Sequence, residues 1–203
     1  MKKVKILECA LAIGLFFTLV WGMFSIQEQQ QLADKVVRLH VIANSDEEAD
    51  QKLKLKVRDQ IIDRATEILK ASSDRNDAAR RLSAALPELR SAAAEEIAKE
   101  GYQYDVTASL EETDFPTKEY DGFTLPAGEY LALRVVIGEG QGRNWWCVVF
   151  PPLCTASTSD VAQTAMASGL NEEDVGLITE ADSGYVLKFK SVELWQSLKG
   201  MFS

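Results

Sequence analysis

The sequence predicts an α+β fold, a two-layer domain in which helices pack on one face of a mainly antiparallel sheet. Three observations support this prediction. Helical spacing of apolar residues is concentrated between residues 45 and 101, and strand patterns gather mainly between residues 102 and 150. Segregated helices and strands, without strict alternation, are typical of α+β domains. A long apolar run at the amino terminus predicts a signal or anchor helix in front of the domain.

The first 26 residues indicate export across a membrane. Three lysines within residues 1–5 precede a mostly apolar run that ends at Ile26. This run is long enough to span a bilayer, and no clean Ala-x-Ala cleavage site follows it. Residues 1–26 are therefore either a cleaved signal peptide or an uncleaved anchor in contact with the membrane, and the positive-inside rule places the remainder on the outer face. We predict a polar spacer over residues 27–34 and a single domain over residues 35–203.

Charge and cysteine usage narrow the class of protein further. The chain has a formal net charge of -9, and removal of the lysine-rich start makes the remainder more acidic still. An acidic domain is poorly suited to binding a phosphate backbone, so nucleic acid is excluded as a partner. Outside the apolar run there are two cysteines, Cys147 and Cys154. In an oxidising compartment we expect them to form a disulfide, with two buried thiols as the alternative.

The amino-terminal half of the domain contains one strand and two helices. The nearly continuous apolar run Val36–Ala43 predicts a central strand. Ser45, with Glu48 three residues later, predicts a capping box, and the helix it begins extends to about residue 71. A second helix begins near residue 78 and ends at a left-handed cap on Gly101. Pro87 predicts a kink or a fresh start within it.

The carboxy-terminal half is dominated by strands. Residues 102–110 alternate between apolar and polar side chains. Tyr130–Ile137 and Trp145–Phe150 are two apolar runs separated by a segment with glycines at 138, 140 and 142, which predicts a hairpin with a mobile turn. A strand over residues 185–190 and an amphipathic helix over residues 192–202 complete the prediction.

Several long motifs, in order, resemble the stage II sporulation protein R family and together cover roughly residues 35 to 155. The motifs are Arg38-Leu-His-Val-Ile-Ala-Asn-Ser-Asp46, Asp50-Gln-Lys-Leu-Lys-Leu-Lys-Val-Arg-Asp59, Phe115-Pro-Thr-Lys-Glu-Tyr120, Leu125-Pro-Ala-Gly128, and the block from Tyr130 through Gly-Arg-Asn-Trp-Trp-Cys to Cys154.

The resemblance implies a signalling protein of endospore formation that is neither an enzyme nor dependent on a cofactor. Members of that family are made in the forespore and exported into the space between the forespore and mother-cell membranes. There they activate a membrane-embedded, aspartic-type protease that processes the pro-form of sigma factor E. The polar residues within the motifs are Arg38, His40, Asn44, Asp46, Arg58, Asp59 and Arg134.

Candidate chemistry is sparse, and each motif also has a structural interpretation. His40 is the only histidine, and no second histidine or cysteine lies near it in sequence, so a core histidine is favoured over a metal ligand. Catalysis by Cys147 with His40 is disfavoured because Cys154 is available for a disulfide. The glycines lack the Lys and Ser or Thr that a phosphate-binding loop needs. An alternative function is a cell-envelope hydrolase or cell-wall-binding domain with a polar pocket at His40, Asn44 and Asp46.

The four charged motif residues Arg38, Arg58, Asp59 and Arg134 are interpreted as ion pairs that tie helix to sheet.

Trp145 and Trp146 are adjacent on a predicted strand, so their rings must point to opposite faces of the sheet. One ring enters the helix-covered core. The other is either covered by the carboxy-terminal segment or exposed as an interaction anchor. The partner-binding candidates are therefore Trp145, Trp146, Gly140, Arg143 and Asn144.

Overall fold

A strand buried on both faces, β1, lies in the interior of a four-stranded sheet. The computed structural model describes residue 14 and residues 29–179, so the rest of the predicted signal or anchor and the elements predicted after residue 184 lie outside the described residues. All six residues of β1 are buried, as its apolar run predicts. The strands are β1 (Val37–Ile42), β2 (Val106–Phe115), β3 (Lys118–Tyr120), β4 (Phe123–Leu125), β5 (Gly128–Ile137) and β6 (Asn144–Phe150).

The main sheet has the order β2-β5-β1-β6, while β3 and β4 form a separate two-stranded hairpin. Strand β1 pairs with β5 in parallel and with β6 in antiparallel orientation, and β2 pairs with β5 in antiparallel orientation. The sheet is therefore mainly antiparallel, and the predicted α+β class is confirmed.

Two long helices cover the first face of the sheet. Helix α1 (Glu48–Leu69) and helix α2 (Arg75–Lys99) pack through regularly spaced apolar residues against alternate residues of β1 and β5. Helix α2 ends as predicted, because Gly101 adopts φ 85° and lets the Tyr102 amide donate to the Ile97 carbonyl at 3.1 Å. Among the residues that the structure describes, no helix combines the length and apolarity needed to cross a bilayer.

The second face is also covered, which adds a third layer that the two-layer prediction omitted. Helices α3 (Val161–Ala167) and α4 (Glu172–Thr179), together with the β3–β4 hairpin, bury a separate apolar cluster against it. The cluster exists because β5 and β6 carry apolar residues on both faces. Its buried members include Tyr130, Ala132, Val148, Leu125, Val161, Ala165, Leu170 and Ile178.

The predicted hairpin between β5 and β6 is wrong, because β1 lies between these two strands. A strand buried on both faces is best placed where both edges find hydrogen-bonding partners, and β5 and β6 supply one each. Residues 138–143 are consequently a connection that crosses the end of β1.

Three local predictions also need correction. Helix α1 has no side-chain cap, and the Ser45 hydroxyl donates to Asp50 at 2.6 Å, so the predicted capping box with Glu48 does not form. Helix α2 is one element that passes through Pro87, so no fresh start occurs there. Strand β2 covers Val106–Phe115, whereas the alternating pattern predicted residues 102–110. The strand has these bounds because it pairs with β5 over this whole length.

Candidate interaction site

Two separate sequence motifs meet where the connection between β5 and β6 crosses the end of β1. The amides of Gln141 and Gly142 donate to the carbonyls of Asn44 and Ala43 at 3.1 and 2.9 Å. The Asn44 side-chain oxygen accepts from the Glu139 amide at 3.0 Å. These bonds fix residues 138–143 onto residues 43–46, and we call this contact the signature junction.

The glycines of the signature junction are required by close packing, which corrects their interpretation as a mobile turn. A Cβ on Gly138 would collide with the Asn44 side chain, and a Cβ on Gly142 would collide with the Ser45 carbonyl. Gly140 and Gly138 also adopt positive φ values of 64° and 57°, where other residues are strained. The segment is therefore a tightly fitted connection.

A polar network beneath the signature junction holds it to helix α1. Asp50 is 4% exposed and accepts from Asn44 at 2.8 Å and from Ser45 at 2.6 Å. Burial alone would raise the pKa of Asp50, but hydrogen bonds from Ser45, Asn44 and Tyr104 outweigh it and lower the pKa. Asp50 was not among the residues predicted from the sequence, although it occupies an apolar-stripe position of α1 three residues before Leu53.

Lys54 is a second buried polar residue that the sequence analysis missed. Its ammonium donates to the Arg143 carbonyl at 2.9 Å and to Gln51 at 2.7 Å. Burial and then the nearby positive charge of Arg143 lower the pKa of Lys54. Helix α1 therefore contacts the backbone of residue 143 directly.

Of the partner-binding candidates, Arg143 and Asn144 are exposed at the signature junction, and Gly140 is half-buried. The Arg143 amide donates to Asp46 at 2.7 Å, and its side chain, 71% exposed, lies 3.6 Å from the same carboxylate. Asp46 therefore anchors the connection to the start of α1. A well-anchored backbone presents an exposed cationic side chain to solvent here.

The two tryptophans lie on opposite faces of β6, as predicted, but both are half-buried. Trp145 packs against the helix-covered core, and the Arg58 guanidinium lies 4.3 Å from its ring centre. Trp146 packs against the second-face cluster, with the Lys118 ammonium 5.4 Å from its ring centre. Neither ring is the fully exposed anchor considered in the sequence analysis.

His40 and Arg38 lie on the second face of the sheet, beneath the third layer. His40 is 8% exposed and its Nε2 bonds to the Asn144 side-chain oxygen at 2.9 Å. Burial, with the positive charges of Arg134 and Arg38, lowers the pKa of His40, and the bond to Asn144 opposes this effect. Asn44 and Asp46 bond elsewhere, so the pocket that the alternative function requires at these three residues is not formed.

The ion-pair prediction for the four charged residues is wrong in its pairing. Arg38 is fully buried and donates to the Tyr120 hydroxyl at 2.8 Å, with its guanidinium 4.0 Å from the ring centre of Phe115. Cation–π contact replaces a carboxylate partner because this face of the sheet is aromatic.

The remaining three charged residues pair locally. Arg58 bonds to its neighbour Asp59 and connects helix to sheet through its contact with the Trp145 ring. Arg134 lies 3.5 Å from Glu111 and therefore connects two strands, β5 and β2.

Cys147 and Cys154 are joined by a disulfide, as expected, with their Cα atoms 6.1 Å apart. The bridge ties β6 to the segment that follows Pro151 and Pro152. Within residues 29–179, no three His, Cys, Asp or Glu side chains are grouped closely enough to hold a metal ion.

The arrangement is that of an α+β protein whose motif residues build a surface, with their polar groups engaged in holding two chain segments together. Residues 33–160 match the family described as stage II sporulation protein R, and the chain belongs to that family. It is similar to the stage II sporulation protein R of Bacillus subtilis (strain 168), with 40% identity over 123 residues. The aligned region is 61% of this chain and 55% of the relative, so it spans about half of the relative's length. No solved structure matches the chain.

Proposed function

We propose that this protein is an exported intercellular signal of endospore formation that activates a membrane-embedded, aspartic-type protease. The activated protease then processes pro-sigma factor E in the mother cell. Membership of the stage II sporulation protein R family is the observation that carries this proposal. The cationic, apolar start of the chain supports export into the space between the forespore and mother-cell membranes, with residues 1–26 as signal or anchor.

The signature junction supports a role as a ligand. Two motifs fix one short connection through bonds between residues 97 positions apart in the chain, those from Gln141 to Asn44 and from Arg143 to Asp46. A preorganised surface loses little conformational entropy when it binds a partner. We therefore propose the outer side of the signature junction, around Arg143 and Asn144, as a contact with the protease.

The test compares two arginines that are equally exposed. Arg143 lies at the signature junction and Arg80 lies on α2, and each side chain is 71% exposed. Arg143→Ala keeps the backbone bonds to Asp46 and Lys54. It should weaken binding of the purified protein to the protease ectodomain by roughly 2 kcal/mol, about thirtyfold, if Arg143 is a hot spot.

The same variant should reduce pro-sigma factor E processing in sporulating cells, whereas Arg80→Ala should leave both binding and processing unchanged. Equal behaviour of the two variants would exclude the signature junction as the contact. Failure of the unaltered protein to bind the ectodomain or to restore processing in cells that lack it would refute the proposed function itself.

A further inference from the structure

A row of side chains crosses the second face of the sheet and carries more hydrogen-bond donors than acceptors. Register places Ser109 opposite Arg134, Arg134 opposite His40, and His40 opposite Trp146, so these four residues lie side by side on four strands. Paired residues at the same level of a sheet share a face. We call this set the donor row.

The donor row is cationic in a chain that is acidic overall. Arg134 lies within the row, and the Lys118 ammonium lies over the Trp146 ring. Arg38 lies on the same face of β1, two residues before His40. The Glu111 carboxylate lies 3.5 Å from the Arg134 guanidinium, and this distance is longer than that of a good charge-assisted hydrogen bond. In the part of the chain that the structure describes, no carboxylate forms an ion pair with Arg38 or with Lys118.

Several polar atoms of this region are buried without a partner. The Trp146 indole nitrogen and the Nε and Nη1 atoms of Arg38 are donors that are shielded from solvent and lack hydrogen bonds. The His40 Nδ1 also lacks a bond, but it is an acceptor in the neutral ring, because Nε2 donates to the Asn144 oxygen. His40 and Arg38 are more than nine-tenths buried. Unpaired buried donors are costly, so an acceptor supplied from outside would recover free energy here.

We propose that the donor row binds a carboxylate-bearing peptide segment of a partner protein, with Arg134 and Lys118 as charged donors and the Trp146 indole as a neutral donor. The half-buried Arg134 side chain, 35% exposed, provides access from solvent. Asn144 links the row to the signature junction, because it bonds to His40 and directly follows Arg143. The assignment of that segment to the protease rests on the proposed function. The binding of a carboxylate-bearing peptide does not depend on it.

The test uses a hexapeptide of alternating Glu and Gly with blocked termini, and a matched peptide with Gln in place of Glu. The peptides are titrated into the full-length protein labelled with ¹⁵N, and the Trp146 indole signal, assigned with Trp146→Phe, reports binding. We expect a saturable shift with the acidic peptide and none with the Gln peptide. Arg134→Gln should weaken binding about tenfold or more, and Arg80→Gln on α2 should leave it unchanged.

Each contrary result overturns the inference. Equal binding of the two peptides would show that charge is not recognised, and equal weakening by Arg80→Gln would show that the attraction is non-specific. Absence of saturable binding in the full chain would exclude an external ligand. Thermal unfolding checks that Arg134→Gln is folded, and Lys118→Gln, with the same expected loss of binding, is the second variant if it is not.

Loss of peptide binding by Arg134→Gln without loss of pro-sigma factor E processing would separate this site from the signalling contact. The inference about carboxylate binding would then hold, and the assignment of the segment to the protease would be refuted.

Discussion

A single glycine shows how closely the signature junction is packed. Gly142 donates to the Ala43 carbonyl, and a Cβ at this position would collide with the Ser45 carbonyl, which belongs to the backbone and cannot rotate away. We expect Gly142→Ala to lower the free energy of unfolding by about 1 to 3 kcal/mol, the usual cost of overpacking.

The control for this prediction is Gly176→Ala. Gly176 lies within helix α4 and has nothing within 4 Å of its ideal Cβ, so alanine there should be neutral or slightly stabilising. Urea unfolding measures both variants. A Gly142→Ala protein as stable as the unaltered one would show that the signature junction is loose enough to adapt.

His40 makes the stability of the protein depend on pH. Its pKa is lowered in the folded state from an unfolded value of 6.5, so the unfolded chain binds the extra proton first. Stability should therefore be fully present above pH 6.5 and decrease as the pH falls from 6.5 towards the folded pKa. His40 is the only histidine, and the lowered pKa of Asp50 affects stability only below its unfolded value of 3.8.

Urea unfolding between pH 7.5 and 5 measures this effect. His40→Gln should remove the decrease in that window, because glutamine does not titrate. A flat profile in the unaltered protein would contradict the lowered pKa.

At the scale of residues, the sequence indicated which positions matter better than it indicated their contacts. Asp50 and Lys54 interrupt the apolar stripe of α1 at positions where burial is expected, so the signal was present. Asn44 lies six residues before its partner Asp50, whereas the Arg143 carbonyl lies 89 residues from Lys54. No local pattern encodes the second of these pairs.

Strand β6 places one tryptophan in each layer, so both rings should contribute to stability. Trp145 contacts Arg58 and the helical layer. Trp146 lies on the second face, where it contacts His40 and Lys118. We expect Trp145→Ala and Trp146→Ala each to cost about 2 to 4 kcal/mol, because each leaves a cavity in a partly buried site.

Met166→Ala is the control for the tryptophan variants, because Met166 is a large apolar residue that is 48% exposed on α3, and its loss should change little. Chemical denaturation measures all three proteins. If one tryptophan variant were as stable as the unaltered protein, that ring would be free to act as an interaction anchor.

The elements themselves were largely predictable, and their pairing was not. Periodicity depends only on which side chains are buried, so β1, β5, β6 and both long helices were predicted near their observed bounds. The insertion of β1 between β5 and β6 depends on contacts between residues about a hundred positions apart, such as that of His40 with Trp146. Proximity in sequence favoured a hairpin, and the burial of both faces of β1 outweighed it.

For the molecule as a whole, the third layer, which covers the second face of the sheet, extends beyond the region shared with the family. The family match ends at residue 160, but α3 and α4 bury further side chains against Tyr130, Ala132 and Val148. Lys35, just before β1, also forms an ion pair with Asp174 of α4. A folded domain should therefore need residues past 160.

Two shortened chains test this requirement. A chain that ends after Asp160 loses Val161, Leu170 and Ile178, each almost fully buried, whereas a chain that ends after Thr179 keeps all three. We expect the first to be less stable than the second by about 4 kcal/mol or more, which corresponds to roughly 10 °C in Tm for a protein of this size. The first should also bind a hydrophobic dye at its uncovered second face, since the apolar patch left there would be exposed. Equal Tm values and no dye binding would show that α3 and α4 rest on a sheet that is stable without them.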